Sequence, residues 1–481
     1  MNDRLAAMRA DRAAFAAERP QKFDAEGRPV DARTAFAAED RAGNRFVEQR
    51  DRVRRTFFTV VDGVVVSLED VMPGKAPIED HDRAENLCDS LTLRTLQAIE
   101  DADLTAAELD ETPWSDDYWA IYSGQLGKRY GDPDWPSSLD WEAFHDHVQG
   151  RPAADVARGG DAAQIDRLSP AEKYDLLVGD SSFGLTRFMW DQGRGYHQRH
   201  GKVETWMGVC HGWAPAAYML GRPRAAVRVT APDGHTPITF YPSDIKALAS
   251  QLWANARTVT RFIGGRCNDK DPAVDAQGRV VSARCLDTNP GTWHLALVNQ
   301  LGVNRRSFII DATYDYEVWN QPMHGYAYTL FDPKSGQSVQ RAADAIVARA
   351  DYPDDPYAAH RSPEAKYIAG VFCRARYVVE TQPSQHASDD PSRDAVHQVD
   401  YVYDLELDGD HRIIGGEWHQ QGHPDFLWTP PPEARAITPA DRLLGGLEWK
   451  GSLLPDAWRR AAPYASAKGL PMARVVEVLI D

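Results

Sequence analysis

The stretch Trp206-Met207-Gly208-Val209-Cys210-His211-Gly212-Trp213 constrains this chain more than any other. Trp213, Ala217 and Leu220 recur at helical spacing, and Gly221 followed by Pro223 predicts that the helix stops there. Cys210 then stands at a helix N-terminus, where unpaired N–H groups carry partial positive charge and favour a thiolate. Gly208 and Gly212 let other backbone crowd close to the sulfur. A free cysteine is more commonly a small buried hydrophobe. Local cysteine signatures do not transfer between families, so the stretch alone leaves both readings open.

Residues downstream favour the chemical reading. The run 291–298 reads as a strand, 307–311 as another, and Gly302 and Asn304 suit a turn between them. A simple antiparallel hairpin about that turn pairs His294 with Asp311, their Cβ atoms about 5 Å apart on one face. A carboxylate so placed orients an imidazole. With the helix-borne thiol of Cys210, the three make the nucleophile, base and orienter of a cysteine acyl-transfer site. The bland alternative is that His294 is a satisfied core histidine and Asp311 caps a turn.

Composition bounds the rest. A chain of 481 residues with 43% hydrophobic residues has room for a large core. With 54 basic against 71 acidic residues, the net charge of −17 argues against a nucleic-acid partner or a polybasic membrane anchor. No apolar run approaches the roughly 18 residues of a membrane span. The start, rich in alanine and charged throughout, does not read as a secretory signal, so a cytoplasmic place or non-classical export is expected. Five cysteines without a CxxC pair exclude a disulfide scaffold and a structural zinc site. Cys267 and Cys285 bracket an acidic loop with Asp269, Asp271 and Asp275. Its spacing is not that of an EF-hand, so no metal site is assigned, although the two cysteines are placed to close it in an oxidising compartment.

Three parts are expected. Residues 1–112 read as a helical N-terminal region with one hairpin around Asp62-Gly63. Residues 113–435 hold the chemistry, and 436–481 read as a short helical appendage. Within the middle part, Ser169-Pro170-Ala171-Glu172 is a capping box opening a helix. The tryptophan- and tyrosine-rich run 114–141 reads as core or groove. His423 and Asp425 are rival acid–base candidates, held apart by Pro424 in a rigid turn.

At this point the residues resemble a known family. Cys267-Asn268, the run from Leu286 through Thr292-Trp293-His294, and Phe308-Ile309-Ile310-Asp311 look like the oomycete transglutaminase elicitors. Val318-Trp319-Asn320-Gln321-Pro322 with Gly325 resembles the surface peptide through which plants sense those enzymes. Ile413 to Trp418 and His423 to Trp428 fit the same pattern. Several motifs in order are far more specific than one. The resemblance implies an α+β, papain-like core, a triad of Cys210, His294 and Asp311, and protein-glutamine γ-glutamyltransferase activity stimulated by calcium. Glu204 stands where a papain-type helper glutamine is expected. Oxyanion stabilisation then falls to the Cys210 N–H and the Trp206 indole.

The expected reaction joins a glutamine-containing protein or peptide to an amine, lysine or polyamine, through a thioester on Cys210, with no cofactor needed for the chemistry itself. Trp206, Trp213, Trp293 and Trp319 are expected to surround the substrate. A cysteine protease or amidase with the same triad, and a catalytically silent peptide-binding protein, are the alternatives.

Overall fold

A computed structural model describes residues 1–18, 20–30, 82–265, 273–276, 278–281, 285, 287–313, 317–444, 447–449, 451 and 453–481, together with the backbone of 58–61 and 64–67. The hairpin expected around Asp62-Gly63 is present as paired strands 58–61 and 64–67.

Proline and capping signals set the helices. Ser169 and Glu172 exchange hydrogen bonds as a capping box, with Pro170 at the first position of α1 (Pro170–Val178). After α2 (Gly184–His200) comes α3 (Cys210–Met219), which ends where Gly221 and Pro223 require. Pro242 opens α4 (Pro242–Asn255). α3 and α4 pack together at close range: a Cβ on Gly212 would meet Ser250 O on α4 at 2.1 Å, so only glycine fits there.

One antiparallel sheet organises the rest. Its main strands are β1 (Arg261–Gly264), β2 (Ile309–Asp311), β3 (Asn320–Phe331), β4 (Tyr367–Val379), β5 (Ala395–Leu407), β6 (Ile413–Trp418) and β7 (Phe426–Thr429). Spatially they run β5-β4-β3-β2-β7-β1, with β6 paired to β5. Short N-terminal strands Lys22–Phe23 and Pro29–Val30 extend the outer edge beyond β5.

The sheet's two faces separate two cores. Period-two alternation sends Ile309, Phe262 and Trp428 to one side, against Ala214 of α3. It sends Ile310, Ile263 and Leu427 to the other side, with Trp293. The first side continues into the helical core of α1, α3 and α4, which also takes in Trp458, Met472 and Val476 of the C-terminal residues. The C-terminal residues hold short helices at Pro439–Leu443, Asp456–Ser466 and Ala473–Ile480, and they share this core.

The segment 291–298 is not a strand. Pro290–Ala296 is a helix, α5, followed by a π-helical stretch at Leu297–Val303. Asn289 caps it by accepting from Gly291 N at 2.8 Å, and Pro290 takes its first position. Every residue of α5 is buried. A short helix that is buried all round has no solvent-facing stripe to betray its period, which is why a strand reading fitted equally well.

Candidate active site

Cys210 is the first residue of α3. The chain before it is clamped: Val209 N donates to Tyr118 O at 2.7 Å, and a Cβ on Gly208 would meet that same carbonyl at 2.3 Å. The sulfur faces the start of β3. Asn320 Nδ2 donates to Sγ at 3.5 Å, and the thiol donates to Val318 O at 3.7 Å. Trp428 Nε1 donates to Asn320 Oδ1 at 2.8 Å, which fixes the amide so that its NH2 points at sulfur.

Two acids stand near. Asp311 lies directly across from Asn320 in the β2–β3 ladder. Its Oδ1 accepts from Trp319 N at 3.0 Å and Thr313 Oγ1 at 2.9 Å, so it also braces the turn between the strands. Glu380, just past the end of β4, accepts from Gln321 Nε2 at 2.8 Å. Burial raises the Glu380 carboxyl to about 7.

The thiol is not the low-pKa thiolate the sequence suggested. Cys210 is only 5% exposed. Burial pushes its pKa up to about 11, the Asn320 contacts pull it down, and the Glu380 and Asp311 charges push it further up. Desolvation and two nearby negative charges outweigh the helix N-terminus.

His294 is not brought to Cys210, and it is not the cross-strand partner of Asp311; Asn320 is. His294 lies on α5, against the opposite face of the sheet. Its Nδ1 pairs with Tyr403 Oη at 2.9 Å, and its ring packs on Tyr328 at 4.7 Å. Tyr328 is eight residues along β3 from Asn320, about 26 Å at the usual rise per residue. Burial lowers the His294 pKa to about 3, so the ring is neutral. The cause of the misplacement is the helix at 290–296, which removes the hairpin that would have joined His294 to Asp311.

The four tryptophans divide. Trp293 is a core residue at 0% exposure, wedged among Phe308, Tyr401 and Trp418. Trp213, also at 0%, donates to Trp114 O at 3.0 Å inside the helical core. Neither reaches a substrate surface. Trp206 and Trp319 belong to a single aromatic cluster beside the site, with Trp319 half-buried and 5.3 Å from Tyr118. The Trp206 indole N–H donates to Glu204, so it does not serve an oxyanion here. The run resembling a surface peptide is interior in this chain: Asn320, Gln321, Met323 and His324 are all buried in the sheet.

Sequence reasoning missed Asn320, Trp428 and Glu380. A signal existed for Asn320, since Asp311 needs a cross-strand neighbour and a second β-rich run begins nine residues later. Nothing local marked Glu380, which arrives from a distant strand.

Among the described residues no group of three or more His, Cys, Asp or Glu is placed to hold a metal ion; Asp269 and Asp271 lie outside them. Cys285 is disulfide-bonded, and Cys88, Cys210 and Cys373 are free thiols. Cys267, the expected partner of Cys285, lies outside the described residues. No helix among them is long and apolar enough to cross a membrane.

A family model described as transglutaminase elicitor matches residues 90–441. The crystal structure of the GP42 transglutaminase from Phytophthora sojae is similar at a TM-score of 0.48 and 24% identity, over 72% of this chain and 88% of that one. No curated protein matches.

Proposed function

This chain belongs to the transglutaminase elicitor family, and on that premise we propose that it is a protein-glutamine γ-glutamyltransferase working through a thioester at Cys210. The observation that carries the reading is the meeting of a helix-opening thiol with a strand-borne amide and two acids, Asp311 on β2 and Glu380 just past β4. The α+β core serves, in this reading, as a papain-like scaffold on which α3 presents sulfur to the sheet.

The Cys210 sulfur attacks the carboxamide carbon of a glutamine side chain. A C–S bond forms, the C–N bond breaks, and ammonia leaves. Glu380, with its carboxyl near 7, takes the thiol proton and returns it to the departing ammonia; a group poised near neutral pH suits both steps. An amine then attacks the thioester, restoring the thiol and yielding a substituted amide. The Cys210 N–H at the α3 start and the Asn320 amide are donors for the oxyanion. Asp311 holds the β2–β3 turn that carries Val318 and Trp319 to the sulfur. Trp206 and Trp319 supply an apolar approach that favours an alkyl amine over water.

A glutamine peptide and a fluorescent amine test this. Amine incorporation lost in Cys210→Ala, and reduced about a hundredfold or more in Glu380→Gln, is expected. Peptide-bond cleavage without amine incorporation would make the protein a cysteine protease or amidase instead.

A further inference from the structure

Residues 1–18 and 20–30 stand outside the stretch 90–441 that the family model matches. They are nonetheless anchored on the sheet. Leu5, Met8 and Phe15 form a small core with Phe331 of β3, Phe372 of β4 and Val402 of β5. Gln398 Nε2 on β5 donates to Asp24 O at 3.1 Å. The strand Lys22–Phe23 pairs with β5 in a fixed register, Lys22 opposite Val399 and Phe23 opposite Gln398.

That register decides where the two side chains go. Neighbours along a strand point to opposite faces, and directly paired residues share one. Phe23 lies under the Arg374 guanidinium, at 5.5 Å. Lys22 takes the other face with Val399, which belongs to the core that holds Trp293. Ala312, just past the end of β2, packs against that same core. Lys22 Nζ reaches it and donates to Ala312 O at 3.4 Å. A lysine on an outer strand usually points to water and keeps other strands away. This one is half-buried, and its ammonium points inward to a main-chain oxygen.

Ala312 matters because of what it holds. Its N–H donates to Trp319 O at 2.9 Å, and Trp319 N donates to Asp311 Oδ1 at 3.0 Å. Val318, the residue before, accepts the Cys210 thiol on its carbonyl. Contacts therefore run without a break from Lys22 through Ala312, Trp319 and Val318 to the sulfur. The ammonium also lies within electrostatic reach of the second acid of the site. Burial pushes the Glu380 carboxyl up and Asp117 adds to it, while the Gln321 hydrogen bond and the Lys22 charge pull it down.

We propose that Lys22 is a positioning residue for transfer at Cys210: from the N-terminal segment its ammonium holds Ala312 O and thereby fixes the β2–β3 turn that sets Val318 and Trp319 beside the sulfur. This role rests on the reading of Cys210 as nucleophile and of Trp319 as part of the amine's approach. A lysine stem lies comfortably along apolar surface while its head keeps a polar partner, so the clamp crosses the core without stranding a charge. Without it the turn keeps only its internal bonds, and Trp319 is free to swing away and admit water to the thioester.

Hydrogen–deuterium exchange and product counting on the full chain, in the wild type, Lys22→Met and Lys22→Arg, test this. The Ala312 and Trp319 amides are hydrogen-bonded and exchange only when the turn opens. In Lys22→Met, peptides carrying Ala312 or Trp319 should exchange about threefold faster or more, while those spanning 396–402 of β5 stay as in the wild type because the N-terminal strand remains docked. With a glutamine peptide and cadaverine, the ratio of amine adduct to deamidated glutamine should fall by about fivefold or more. Lys22→Arg keeps a cationic donor of similar length and should return both readouts to within about twofold of the wild type. Lys22→Gln takes the place of Lys22→Met if the latter does not fold. Unchanged exchange at Ala312 and Trp319, an unchanged product ratio, equally faster exchange in β5, or Lys22→Arg behaving like Lys22→Met would each overturn the proposal. A wild type that incorporates no amine would instead sink the reading of Cys210, and exchange at Ala312 and Trp319 would then decide by itself whether Lys22 holds the turn.

Discussion

The two ends of β3 use chemically able side chains in opposite ways. At Asn320, the Cys210 sulfur makes two long contacts, of 3.5 and 3.7 Å, and two acids, Asp311 and Glu380, accept hydrogen bonds from Trp319 N and Gln321 Nε2. At Tyr328, a histidine has been absorbed into a core: it makes one good hydrogen bond to Tyr403, and aromatic rings surround it. Cys210 and His294 are both nine-tenths buried or more, so burial does not tell site from core. Neighbours do. The cysteine is surrounded by polar and acidic groups, whereas the histidine is surrounded by tyrosines.

Substitution at the two ends should break the comparison if it is wrong. Cys210→Ala should reduce amine incorporation a thousandfold or more, the usual order for a lost nucleophile. His294→Gln should leave kcat/KM within about threefold at pH 7.5. A folded His294→Gln protein with activity as low as Cys210→Ala would return the histidine to the chemistry and require the sheet to open between them.

Tryptophans sharpen it next. Trp293→Ala removes a fully buried ring and should cost about 3–5 kcal/mol of stability, read as a drop in the urea midpoint. Trp319→Ala, half-buried at the other end, should cost much less. Its signature is instead a shift of product from amine adduct toward deamidated glutamine, counted by mass spectrometry. The opposite assignment of the two phenotypes would mean that the aromatic approach lies on the other face.

The same contrast has a sign in pH. His294 is held near 3, below its ordinary 6.5, so folding favours its neutral form. Its contribution is fully present above about pH 6.5 and is lost as pH falls toward 3, at up to about 1.4 kcal/mol per pH unit. Glu380 is held near 7, above its ordinary 4.5, so its contribution is present below about 4.5 and lost as pH rises toward 7. Urea midpoints at pH 4 and pH 7.5 check both: His294→Gln should flatten the acid loss, and Glu380→Gln should remove a loss on the alkaline side. Parallel pH curves for wild type and both variants would contradict the burial argument at both ends.

Much of the scaffold could be read beforehand because its signals are local. Pro170 at a helix start, the Ser169–Glu172 box and the stop after Met219 each depend on a few neighbouring residues, and all fell where expected. The site was half legible. Cys210 and Asp311 do stand near one another, because a helix start and a strand end are local features. Their other neighbours depend on which strands meet, and that is decided by the packing of α5. Seven buried residues carried no period to distinguish helix from strand, and that single ambiguity moved His294 by the length of a strand. Asn320 and Glu380 meet the sulfur only through β3 and β4, which no short motif reports.

The smallest expected effect tests the state of the thiol itself. A helix N-terminus alone would make Cys210 a fast target for iodoacetamide at pH 6.5. The structure opposes this, with burial and the Glu380 and Asp311 charges holding the thiol near 11. Alkylation should therefore be slow at pH 6.5, no faster than an ordinary exposed thiol, and should keep rising beyond pH 9. Glu380→Gln removes one of the two charges that raise the pKa, so at fixed pH it should speed alkylation of Cys210 a few-fold. That same variant should slow amine transfer, because the proton acceptor is gone. A group that merely supported the fold would not move two rates in opposite directions. Slower alkylation together with slower transfer would instead reduce Glu380 to a structural neighbour of the site.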